Sequence, residues 1–85
     1  MSEQERKTFF IYTKRDCGFC RKAIELFKDR GLHFIHMDMT ENEELLKSIQ
    51  EEVKWNTVPM IFQFSDRNQV FIGGFTDLST FLGIE

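Results

Sequence analysis

The chain has 85 residues, 41% of them hydrophobic and ten of them phenylalanine. That is one small domain with enough apolar side chains for a packed core without staples. A net charge of −3 excludes general affinity for nucleic acid. Neither an apolar signal region nor a run of about 18 apolar residues occurs, so no membrane segment is predicted, and the expected location is the cytoplasm.

Residues 1–6 are polar and predict a flexible tail ahead of one domain spanning 1–85. The run KTFFIYT (7–13) is apolar and aromatic and predicts a buried strand. After it come the only two cysteines, in RDCGFCRK (15–22). Cys20, Ala23, Ile24 and Phe27 follow at helical spacing and predict one apolar helix face, with Gly31 as the stop. LHFIHMDM (32–39) predicts a second strand. TENE (40–43) has the pattern of a capping box, with Thr40 as N-cap and Glu43 at N3. The helix that follows is predicted to turn Leu45, Leu46, Ile49 and Val53 inward.

VPMIFQF (58–64) predicts a third strand, SDRNQ (65–69) a turn and VFIG (70–73) a fourth strand, so the last two strands form a hairpin. A short helix is expected from about Thr76 to Leu82. The order β-α-β-α-β-β-α predicts an α/β domain with a small four-stranded mixed sheet flanked by three helices. Its first two strands are parallel through a right-handed crossover.

Charge is unevenly spread. From Lys14 to Arg30 the balance is +3, and from Asp38 to Glu52 it is −5. The basic segment carries the cysteines, which favours an anion there.

Two cysteines two residues apart admit three readings. A structural bridge is uncommon in a reducing compartment, and so short a loop constrains the unfolded chain little. Zinc is suggested by Cys17-x2-Cys20-x12-His33-x2-His36. The last gap is too short, though, and in a strand an offset of three sends the two histidines to opposite faces. They read better as one partly exposed residue and one packed beside the sheet.

A reactive dithiol fits the local physics. Cys17 lies between a strand and a helix start, where free N–H groups and the helix dipole favour a thiolate. At an ordinary pKa of about 8.5 only a few per cent of a thiol is ionised at neutral pH. Bringing it to about 5 needs about 5 kcal/mol. The dipole supplies about 1 kcal/mol or less, so hydrogen bonds from local N–H groups must supply much of the rest. Lys14 helps and Asp16 opposes. Cys20, one turn in on the apolar face, is the inner, resolving thiol.

Three separated motifs then agree. CGFC (17–20) follows a strand, TVP (57–59) opens a later one, and GGFTD (73–77) leads into the last helix. Together they resemble the glutaredoxins, over nearly the whole chain from about Lys7 to Leu82. The resemblance implies a thioredoxin fold and a glutathione-dependent thiol–disulfide oxidoreductase. Its catalytic residues would be Cys17 and Cys20, and its substrates protein disulfides and glutathione mixed disulfides.

It also implies a cis Val58–Pro59 bond, with the Val58 backbone pairing with glutathione like an added strand. Thr57 belongs to the same motif. Lys14 would meet the glycine carboxylate of glutathione. The backbone N–H groups of Phe75, Thr76 and Asp77 would meet the γ-glutamyl carboxylate, and the Asp77 carboxylate its amine. Gly74 would permit close approach, and Phe19 would supply an aromatic wall. Ribonucleotide reductase is an implied protein partner, and a monomer the implied state.

Two departures from the dithiol pattern stand out. Gly18-Phe19 replaces Pro-Tyr between the cysteines. CGF followed by RK, with Trp55 just before TVP, is similar to monothiol CGFS members, which bind a [2Fe–2S] cluster with glutathione. Here Cys20 holds the serine position. The alternative reading is therefore a cluster carrier, with Cys17 from each of two chains as ligand and a dimer only when the cluster is bound. A thioredoxin-like protein recharged by a flavoprotein is less well matched. Asp16 stands where a Trp would precede the motif, and Lys14 and Asp77 fit glutathione.

Overall fold

The computed structural model describes residues 7–84; the flexible tail expected at 1–6 lies outside the described residues. The elements are β1 (Thr8–Thr13), α1 (Gly18–Asp29), β2 (Phe34–Asp38), α2 (Glu43–Val53), β3 (Met60–Phe64), β4 (Gln69–Gly73) and α3 (Phe75–Phe81). One sheet holds all four strands in the order β2-β1-β3-β4. β1 runs parallel to β2 with Phe9 opposite Phe34, and antiparallel to β3 with Phe10 opposite Phe62. β3 and β4 are antiparallel, with a register shift between Ile61 and Phe62.

Strand periodicity divides the aromatic run of β1 between two cores. Phe9 and Ile11 face Ala23 and Phe27 of α1, Ile61 of β3 and Leu78 of α3. The Phe27 ring lies 5.0 Å from both Phe9 and Phe34, stacked on the latter. Phe10 and Tyr12 point the other way, toward the core of Met39, Leu46, Met60 and Phe62 under α2. β3 is buried on both faces at Met60, Ile61 and Phe62, as a central strand must be.

α1 ends as expected. Gly31 takes φ 65°, which costs glycine nothing. Its N–H donates to the Lys28 carbonyl and the Leu32 N–H to the Phe27 carbonyl, a Schellman closure.

α2 departs from expectation at two points. Its N-cap is Asn42, not Thr40, and Asn42 makes no side-chain cap. The Thr40 hydroxyl instead donates to Asp38 Oδ1 at 2.6 Å, and the Thr40 N–H donates to the same atom at 3.0 Å. Local side-chain bonds of this kind compete with helix capping. Leu45 is not inward-facing but 47% exposed. Adjacent residues on a helix diverge by about 100°, and Leu46 takes the buried place.

Phe27→Ala removes the ring that joins α1 to β1 and β2. It should lower unfolding free energy by about 3–5 kcal/mol, a large share of the roughly 5–15 kcal/mol of a small domain. A urea titration followed by far-UV circular dichroism measures this.

Candidate active site

Cys17 is the N-cap of α1. Its Sγ accepts the Cys20 N–H at 3.1 Å, and its carbonyl accepts the Arg21 N–H. The first turn of α1 therefore directs one of its free donors, the Cys20 N–H, at the sulfur. Cys17 and Cys20 are joined as a disulfide with Cα atoms 5.2 Å apart. Cys17 is partly exposed and Cys20 buried at 3%, so the outer and inner roles read from the sequence match their exposure.

The chain reaches Cys17 through a held turn. Asp16 adopts the left-handed conformation, φ 61°, which Asp tolerates better than most residues. Just before it, the Arg15 N–H donates to Thr40 Oγ1 at 2.8 Å, and the Arg15 guanidinium pairs with Glu41 at 3.2 Å. Thr40 thus ties the turn before Cys17 to the end of β2. Its hydroxyl and N–H bonds hold the Asp38 carboxyl below its usual pKa, helped by the charges of His36 and Arg15 and opposed by a little desolvation.

On the other side, the Val58 carbonyl oxygen lies 3.8 Å from Cys17 Sγ, and the Val58–Pro59 peptide is cis. Val58 is the shared rim of two depressions. One, of about 350 Å³, is lined by Phe19, Thr57, Val58, Pro59, Gly74, Phe75, Thr76 and Asp77, together with Trp55. The other, of about 360 Å³, holds Lys14 and Glu43 beside Thr57 and Val58. The nine residues proposed from the motifs to bind glutathione are thus brought to one region beside Cys17. Phe19 is 58% exposed, with its ring 6.1 Å from Phe75 and Lys22 Nζ 5.4 Å from its centroid.

Four features were missed in the sequence. Trp55, noted only as a family feature, is a wall of the first depression. Its indole Nε1 is buried without a hydrogen-bond partner, and its ring meets Phe71 edge-on at 5.4 Å. Lys14 is not a solitary cation, because its Nζ lies 3.1 Å from Glu43 Oε2. Thr40 clamps the turn before Cys17, a contact across 25 residues with no local signal.

The fourth is a glycine. The strict requirement falls on Gly73, not on Gly74. Gly73 has φ 123°, and a Cβ there would sit 2.6 Å from Asp77 Oδ2, whereas one on Gly74 would meet only ordinary contacts. Asp77 Oδ2 accepts the Gly74 N–H at 2.9 Å, which leaves its second oxygen for a ligand.

The histidines take no part here. His33 bonds Thr8 at 3.0 Å, and His36 bonds the buried Thr13 at 2.7 Å. Both are exposed, which corrects the expectation that one packs away beside the sheet. Among the described residues no group of three or more His, Cys, Asp or Glu could hold a metal ion. A [2Fe–2S] cluster takes four protein or thiol ligands, so Cys17 of one chain could supply only part of such a set.

A buried and a partly exposed cysteine at a helix start, on a four-stranded mixed sheet flanked by three helices, give the thioredoxin fold with a Cys-x-x-Cys motif. A model of the glutaredoxin family matches residues 9–66. Glutaredoxin-2, mitochondrial, of Bos taurus is 33% identical over 70 residues, covering 79% of this chain and 42% of that protein. Glutaredoxin 1 of Francisella tularensis, crystallised with cacodylate, superposes with a TM-score of 0.70 at 25% identity, over 91% of this chain and 93% of that one. Thioredoxin f of spinach chloroplast shares the fold, with a TM-score of 0.64 at 14% identity, over 94% of this chain and 74% of that one. The chain belongs to the glutaredoxin family. It spans less than half the length of the curated glutaredoxins it matches.

Gly73→Ala should cost about 1–3 kcal/mol through backbone strain alone, with the Asp77 clash in addition. Urea unfolding measures the loss. Asp38 yields a pH signature. A carboxyl held low in the folded state stabilises above its unfolded pKa of about 3.9, and that contribution is lost as pH falls through the folded value. The stability gap between wild type and Asp38→Asn should therefore be open at pH 6 and close as pH falls below 4.

Proposed function

We propose that this protein is a glutathione-dependent thiol–disulfide oxidoreductase that reduces protein disulfides and glutathione mixed disulfides. The observation that carries the reading is the position of Cys17 Sγ. It accepts a helix N–H and lies against Val58, at the junction of the two depressions. A disulfide bound in either depression lies next to the sulfur by way of Val58.

In the reduced enzyme the Cys17 thiolate attacks the glutathione sulfur of a mixed disulfide. The Cys17–glutathione bond forms, the old S–S bond breaks, and the leaving thiolate takes a proton from water. A second glutathione thiolate then attacks the sulfur bound to Cys17. Oxidised glutathione leaves, and the Cys17 thiolate returns. With a protein disulfide, Cys17 forms the mixed bond first. The Cys20 thiolate then attacks Cys17 Sγ and releases the protein as a dithiol, leaving the Cys17–Cys20 disulfide for two glutathiones to reduce.

The groove supplies what a tripeptide with two carboxylates and one amine needs. Lys14 stands at one end. At the other are the first-turn N–H groups of α3, of which Phe75, Thr76 and Asp77 have no partner one turn back, together with the open oxygen of Asp77. Phe19 and Trp55 wall the middle. A reducing cytoplasm suits this cycle. Following the family resemblance, the partners are disulfide proteins, ribonucleotide reductase among them, met by a monomer.

The test is reduction of a glutathione mixed disulfide by glutathione, with glutathione reductase and NADPH as the readout. Cys17→Ser should abolish it. Cys20→Ser should keep it and lose reduction of protein disulfides. A Cys17→Ser variant at full rate would sink the mechanism.

A further inference from the structure

Lys14 does not face the groove alone. Its Nζ lies 3.1 Å from Glu43 Oε2, with the two side chains 38% and 62% exposed. Both line the depression that shares Thr57 and Val58 with the main cleft. Glu43 is the first residue of α2, at the positive end of the helix dipole. Lys47, one turn further along α2, lines the same depression. With Glu43 present, its lysines and glutamate leave one net positive charge there; without it they would leave two. A carboxylate arriving at this end meets a cation already held by an anion.

We propose that Glu43 is a specificity-determining residue. By holding Lys14 it lowers the groove's preference for a terminal carboxylate. Glutathione ends in such a carboxylate at this point. A protein disulfide does not, because its chain continues through a neutral peptide bond. Asn56, which also lines the depression, can serve that peptide as donor or acceptor. Glu43 thereby shifts the enzyme from small glutathione disulfides toward disulfides within polypeptides. This inference rests on the glutathione reading of the groove.

Two probes separate charge from everything else. One is the mixed disulfide of glutathione with 2-mercaptoethanol. The other is the same compound with its glycine carboxylate amidated. KM is measured for both with wild type, Glu43→Gln and Glu44→Gln. Glu43→Gln should lower KM for the carboxylate probe roughly two- to five-fold, the worth of an exposed ion pair, and leave the amide probe unmoved. Glu44 lines neither depression, so Glu44→Gln should move neither. Added salt should shrink the Glu43→Gln effect. If Glu43→Gln shifts both probes equally, or neither, the proposal is overturned while the glutathione reading stands. If wild type turns over neither probe, both are overturned.

Discussion

A sulfur atom does the work of a helix cap here. Cys17 Sγ accepts the N–H of Cys20 in the place where serine or aspartate usually serves, and the rest of the site is arranged around that bond. β1 delivers the chain to one end of the sheet. Asp16 reverses it through a left-handed residue, and Thr40 holds Arg15 so that the turn stays in place. The atom that ends the turn and starts the helix is also the proposed nucleophile. Capping and reactivity are the same interaction seen from two sides, because an N–H that satisfies a helix end also stabilises negative charge on its acceptor.

The two faces of the sheet serve different purposes. The α1–α3 face is closed by Phe9, Ile11, Phe27, Ile61 and Leu78, and it fixes the two helices whose first turns meet at the site. The α2 face is built of Met39, Leu46, Met60 and Phe62, with Phe10, Tyr12 and Phe64 partly open beside them. α2 contributes charge as well as cover, since its first residue reaches Lys14. The acidic excess from Asp38 to Glu52, read in the sequence as mere imbalance, thus has a part in the groove.

Local patterns were legible where one signal stood alone, and contacts between distant residues were not. The Phe-rich run of β1, the helical spacing from Cys20 to Phe27 and Gly31 as a stop are short-range signals that steric and hydrophobic periodicity carry directly. Thr40 failed because two local uses competed for one hydroxyl. The capping box lost to Asp38, which sits only two residues away. Leu45 failed because two adjacent leucines cannot both face inward and periodicity alone does not choose between them. The Lys14–Glu43 pair joins the end of β1 to the start of α2 and leaves no trace in either segment. The residues around Val58 and Gly74 proposed to bind glutathione came from the family resemblance, and the folded chain gathers them along one depression whose rim, Val58, adjoins Cys17.

Gly73 and Asp77 carry a consequence for how such a chain can change over generations. A side chain at position 73 is opposed twice, by a φ of 123° and by the carboxylate 2.6 Å away. Losing Asp77 would lift the second objection and leave the first. A change at 77 gives up the bond to the Gly74 N–H and still leaves position 73 closed by its φ. Across the five residues from Gly73 to Asp77, the glycine is the position held twice over.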